Sequence, residues 1–174
     1  DIEYFISGDM DAALKNYEHS VLNKNSTPTV NYRIGVINYN KQNYENALTF
    51  FIKALEKKDA DQNLLLAAGN TLALRGDNFA AQGYYNRLLS LLNEEKAHHA
   101  LLFPQAKEED SQLVEMILKT NNNLGVVLNK IARQTGNSQM NGKSFECFVE
   151  SIRAWDALTR NQETMVRLGG SNLA

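Results

Sequence analysis

VNYRIGVINYNKQNYENALTFFIKALEKK, residues 30–58, places Gly35 twelve residues before Ala47 and Phe51 four residues after that alanine. Taken alone the spacing says little. Sliding the chain along itself by 34 residues brings Ala13, Ala47 and Ala81 into register, and with them Tyr17, Phe51 and Tyr85. The same shift superimposes Gly35 on Gly69, and Asp9 on Asn43 and Asp77. Gly8 and Gly76 also match, with Gln42 between them. Small, aromatic and turn-forming positions that recur together at one period mark an internal structural repeat.

Each unit reads as two helices joined by a tight turn. In the second unit the spacing predicts helix A over Pro28 to Lys41 and helix B over Tyr44 to Lys57. Small residues at Gly35, Ala47 and Ala54 suit the closest approach of antiparallel helices, whose axes pack about 8–10 Å apart. Phe51 is expected to fill the gap between one helix pair and its neighbour. A glycine in the turn supplies the positive φ that ends helix A.

This pattern resembles the tetratricopeptide repeat family, whose signature runs Leu-Gly, a large residue, Ala-x3-Phe and a later proline. The matching residues are Ile34-Gly35, Asn38, Ala47, Phe51 and Ala54, then Ala68-Gly69, Leu72, Ala81, Tyr85 and Leu88. The resemblance covers residues 1–95 and implies an all-α fold, a right-handed superhelix of antiparallel helix pairs. Two departures stand out. Asn25, Asp59 and Asn93 lie near the place of the inter-repeat proline, and Phe79 stands for the usual aromatic one position earlier. Tyr4 and Phe5 would end a helix A whose beginning precedes Asp1, as expected of a piece cut from a longer array.

The period breaks at Asn93, so residues 1–95 form the regular array, with units near 28–61 and 62–95, and residues 96–174 a variant. Pro104 disfavours helix at Phe103. A long helix is then expected from about Lys107 to Gln134, with Leu113, Ile117, Leu124, Leu128 and Ile131 on one face. Glu108, Glu109 and Asp110 near its start complement the helix dipole. Leu124-Gly125 and Leu128 repeat the signature, and Ser144, Phe148 and Ser151 take the Ala, Phe and Ala places. Between them RQTGNSQMNG, residues 133–142, reads as an elongated loop. Leu168-Gly169 reads either as the start of a fifth unit or as a fraying tail.

Composition supports a helical reading: the 174 residues hold 10 Gly and 2 Pro, and β-branched residues do not alternate. A formal net charge of -2 argues against nucleic acid, whose binders carry a basic face. No apolar run reaches the 18 residues of a membrane span. One cysteine, Cys147, makes neither an internal disulfide nor a zinc site, and leaves the compartment open. The chain begins with Asp1 and shows no signal peptide, so either a targeting segment has been removed or the chain is part of something larger.

No cofactor, metal or catalytic residue is expected. His98 and His99 are adjacent and point about 100° apart on a helix, a poor chelating pair, so a solvated pair is preferred. Cys147 has no histidine motif beside it and reads as a structural thiol. EKKDAD and KEED read as solvated helix ends. Trp155, the sole tryptophan, is expected to plug the junction after the fourth repeat, in preference to stacking on a ligand. Neither a phosphate loop nor a nucleophile elbow occurs.

In the resembling family, outward-facing positions of helix A line a concave wall that grips an extended peptide or a partner helix. Carried residue by residue onto this chain, the second unit offers Tyr32, Arg33, Val36, Tyr39 and Asn40. The third offers Asn63, Leu66, Asn70, Ala73 and Leu74. The variant unit offers Lys119, Asn122, Asn123, Val126, Asn129 and Lys130. Asparagines can donate and accept at once, which suits a peptide backbone, and the cations suit a carboxylate. Tyr32 and Val36 stand where a two-carboxylate clamp would need Lys and Asn, which counts against a clamp for a chaperone tail. The expected function is a protein-interaction scaffold for a peptide or protein. The alternative is a structural, self-associating segment using the helix near 107–134. A carrier or enzyme-like cavity beside the 133–142 loop is a third.

Overall fold

The computed structural model describes residues 10–22, 26–104 and 110–170, with side chains for all of these except 22 and 161–170. Tyr4, Phe5, Gly8, Asp9, Asn25, Glu108 and Glu109 lie outside the described residues. Seven helices follow one another among them: α1 (Met10–Leu22), α2 (Pro28–Asn40), α3 (Tyr44–Leu55), α4 (Gln62–Arg75), α5 (Asn78–Leu102), α6 (Ser111–Thr135) and α7 (Ser138–Gly170). The all-α expectation holds, and α2 with α3 and α6 with α7 pair across tight turns. The chain divides into two compact units, Asp1–Ala81 and Gln82–Ala174, with the division falling inside α5.

In the first unit α2 packs on α3, α3 on α4, and α1 on α2. The sequence sets where each A helix starts. Thr27 caps α2, its Oγ1 accepting from the Val30 N–H at 3.2 Å, with Pro28 in the first turn. Asp61, 34 residues on, caps α4 through Oδ1 and the Leu64 N–H at 3.1 Å. Each cap satisfies an amide that the helix itself leaves open.

The turns share their closing bond. The Asn43 N–H donates to the Asn38 carbonyl at 2.8 Å, and the Asp77 N–H to the Leu72 carbonyl at 2.9 Å. Gly76 sits at φ +86 and Gln42 at φ +60, so the second unit takes the left-handed turn without the glycine that favours it.

The α2–α3 hairpin closes on Gly35. A Cβ added there would lie 2.5 Å from Phe51 Cε1, so the ring rests directly on the glycine backbone. Phe51 is therefore seated within its own helix pair. Tyr32 adds a ring contact, centroids 5.9 Å apart. Burial of the phenyl is worth about 1.5–3 kcal/mol. Asn38, at the signature's large position, is buried and donates to the Ile34 carbonyl at 2.9 Å.

In the second unit α6 packs along α7. The same contact recurs: a Cβ on Gly125 would lie 2.8 Å from Phe148. Both alanine places of helix B are serines that bond across the hairpin. Ser144 Oγ donates to the Gly125 carbonyl at 2.7 Å, and Ser151 Oγ to the Leu118 carbonyl at 3.3 Å. Residues 118 and 125, and 144 and 151, are each seven apart, so the bonds lie two turns from each other along the seam.

Three expectations are corrected here. Residues 133–142 are not an elongated loop: α6 runs to Thr135, Gly136 turns at φ +67, and α7 starts at Ser138. Asn137 caps the new helix, its Oδ1 accepting from the Gln139 N–H at 3.0 Å. The glycine and asparagine content that suggested a loop belongs to one tight turn and a helix that tolerates Gly142. Trp155 does not plug a junction, being 62% exposed. Leu168-Gly169 does not open a separate helix, because α7 continues through Gly170. The helix break at Phe103 holds, with α5 ending at Leu102 and α6 starting at Ser111 behind an Asp110 cap.

Candidate functional site

The expected binding residues fall on three helices. On α2, Tyr32, Val36 and Tyr39 are half-buried and Asn40 is exposed, one strip along the helix. The strip is firm. Tyr39 meets Tyr44 edge-on with centroids 5.7 Å apart, and Tyr32 leans on Phe51. Burial first, then the Asp61 charge, pushes the Tyr32 hydroxyl above the ordinary tyrosine pKa. Burial and then Tyr44 do the same to Tyr39. Arg33 differs from its neighbours, since its guanidinium donates to the Tyr17 hydroxyl at 3.1 Å and thereby ties α2 to α1.

On α4, Leu66, Asn70 and Ala73 are half-buried, while Asn63 and Leu74 are exposed. Because α2 and α4 touch within the first unit, their strips belong to one structural body. Between their N-terminal ends lies a recess of about 110 Å³ lined by Pro28, Thr29, Tyr32, Lys58, Asp61, Asn63 and Leu64. Small-molecule sites usually run to about 300–1,000 Å³, so this recess is smaller than an ordinary small-molecule site.

On α6, Lys119, Asn122, Val126 and Lys130 are exposed, with Asn123 and Asn129 half-buried. Their steps of three and four residues place them along one side of the helix. Lys119 pairs with Glu115 at 2.6 Å, and Asn122 donates to Asn123 Oδ1 at 3.4 Å. An exposed pair of this kind contributes little to stability.

Sequence reasoning missed Pro28, Thr29, Lys58, Asp61 and Leu64 as part of the recess. The recurrence of Thr27 and Asp61 at the 34-residue period was the available signal, because it fixes the two A-helix starts side by side. It also missed a second feature: Phe145, Ile152 and Trp155 on α7 are large, apolar and exposed.

Other chemistry is sparse. Cys147 is half-buried, and burial, followed by Glu146 and Glu150, raises its thiol pKa. Among the described residues no group of three or more His, Cys, Asp or Glu is placed to hold a metal ion. No described helix is long and apolar enough to cross a membrane.

No protein-family model matches the chain, and no curated protein matches it by sequence. Among solved structures it is similar to MamA at 12% identity, over 91% of this chain and 95% of that one, with a TM-score of 0.49. It is also similar to a candidate protein-binding protein from Bacteroides ovatus ATCC 8483, at 14% identity, over 89% and 94% of the two chains, with a TM-score of 0.39.

Proposed function

We propose that the chain is a protein-interaction scaffold that holds an extended peptide along the outer strips of α2 and α4. The observation that carries this reading is the recess at Tyr32, set between two helix starts and continued by the half-buried strip of α2. Rigid aromatic walls with a few polar groups bind at low entropic cost, because little needs to be ordered when the partner arrives. Tyr32 and Asn63 both line the recess, and each side chain can donate and accept hydrogen bonds. Val36, Tyr39 and Leu74 supply apolar contacts further along. The strip of α6, from Lys119 to Lys130, is a second candidate surface of the same kind.

Arg33 is a poor handle for a test because it ties α1 to α2. Asn63→Arg and Leu74→Glu change exposed side chains and leave the hairpin seams alone. Peptides selected from a displayed library against the unmodified chain should bind each variant at least about tenfold more weakly, a loss of about 1.4 kcal/mol. Unchanged affinity for both variants, with helical circular dichroism intact, overturns the reading.

A further inference from the structure

The recess at Tyr32 is bordered by two opposite charges. Asp61 and Lys58 both line it, yet no ion pair joins them, and neither has an ionic partner among the described residues. Asp61 gives one carboxylate oxygen, Oδ1, to the Leu64 N–H at 3.1 Å. Its second oxygen has no hydrogen-bond partner among the described residues. The Tyr32 hydroxyl, raised in pKa by burial and then by Asp61, lies within the field of that carboxylate. Asn63 adds an amide, while Pro28 and Leu64 add apolar surface.

This pairing of charges discriminates between side-chain chemistries. A cationic group gains Asp61 and is repelled by Lys58; an anionic group meets the reverse. The two helix starts do not tip the balance towards an anion, because Thr27 and Asp61 already cap them. An apolar group strips water from a carboxylate and returns no hydrogen bond for it, which is costly. A carboxamide escapes all three penalties. It has no net charge, its NH2 donates to a carboxylate, and its carbonyl accepts from an ammonium, a hydroxyl or an amide.

We infer that the recess reads a glutamine or asparagine side chain of the bound peptide, its NH2 on Asp61 and its carbonyl towards Lys58. This inference rests on the scaffold reading above and adds to it the residue type that the partner presents. Asp61 is a specificity-determining residue as well as the cap of α4. Tyr32 and Asn63, which can each donate or accept, complete the contacts at either end of the amide.

The probe is the tightest peptide selected from a displayed library against the unmodified chain. It is expected to hold one glutamine or asparagine whose replacement by methionine weakens binding about tenfold, because Asp61 and Lys58 are left without their partners. Replacement of the same residue by glutamate or by lysine should weaken it at least as much. Two variants of the chain then separate the charges. Asp61→Asn keeps a side chain that caps equally well, and Lys58→Met keeps the alkyl stem. Against Asp61→Asn the glutamate peptide should recover most of its loss and the lysine peptide none. Against Lys58→Met the recovery should pass to the lysine peptide. A peptide that is weakened by Asn63→Arg and Leu74→Glu, yet binds equally well with methionine, overturns the carboxamide assignment and leaves the scaffold reading standing. Tighter binding of the glutamate or lysine peptide to the unmodified chain overturns it as well. A peptide indifferent to Asn63→Arg and Leu74→Glu overturns the scaffold reading, and this inference falls with it.

Discussion

The α2–α3 and α6–α7 hairpins close on the same contact, a phenyl ring laid on a glycine, yet they differ in how far they run beyond it. Seven residues take Gly35 to the left-handed turn residue Gln42, and eleven take Gly125 to Gly136. On the return, nine residues lead from Gln42 to Phe51 and twelve from Gly136 to Phe148. The longer hairpin has gained four residues outbound and three inbound, close to one helical turn of 3.6 residues on each side. Because each arm gains about a whole turn, the helix faces stay in phase and the ring finds its glycine again. The contact is fixed; the distance to the tip is free to vary.

Breaking the shared contact should have the largest effect. Gly35→Ala puts a methyl against a Phe51 ring that is 1% exposed and has nowhere to go. After the helix-propensity gain of alanine is set against overpacking, a net loss of about 1–3 kcal/mol is expected in chemical denaturation. Gly125→Ala should cost less, because Phe148 is half-buried and can swing outward. Equal losses would mean that the two contacts are equivalent in energy as well as in geometry.

The turns give the next largest effect, with opposite signs. Gly136→Ala and Gly76→Ala should each lose about 1–2 kcal/mol, since both residues sit at positive φ. Gln42→Gly should gain up to about 1 kcal/mol by relieving the same conformation in a residue with a Cβ. A destabilising Gln42→Gly would show that the side chain makes a contact outweighing its backbone strain.

Ser144→Ala sharpens the comparison at the seams. It converts the longer hairpin to the alanine of the shorter one and should cost about 0.5–1.5 kcal/mol through the lost bond to the Gly125 carbonyl. The smallest effect concerns Cys147, whose raised pKa keeps it a thiol at neutral pH. Its modification by a thiol reagent at pH 7 should be slower than that of a free cysteine peptide. The folded pKa lies above the unfolded value, so any stability linked to this group is present below about pH 9 and falls as pH rises through the folded pKa. Reaction at the peptide's rate would place the thiol in open solvent.

The repeat was legible because Ala47, Phe51 and Gly35 are forced by backbone approach, and sterics of that kind leave a fixed period in the sequence. The start of α2 was legible at Pro28, whereas the capping pair Thr27 and Asp61, which recurs at the same 34-residue period, went unread. The second turn was misread because Gly136, Asn137 and Gly142 have the composition of a loop, while the helix phase that decides the matter depends on the total residues added. Trp155 was misread for a different reason. Whether an apolar side chain on helix B is covered depends on what stacks upon that helix, and that is a property of the neighbour. The recess at Tyr32 was half legible: its tyrosine was named, but its floor comes from helix starts 33 residues apart in the chain, at Pro28 and Asp61.

The phase-neutral lengthening at Gly136 has a practical meaning for protein construction. Four residues of rise carry the tip about 6 Å further from the glycine–phenyl contact than in the shorter hairpin. The turn is thus a telescoping joint, with its anchorage left unaltered. Additions split four before the turn and three after it offer a unit of length for mounting a tag, a reactive group or a second module at a chosen height.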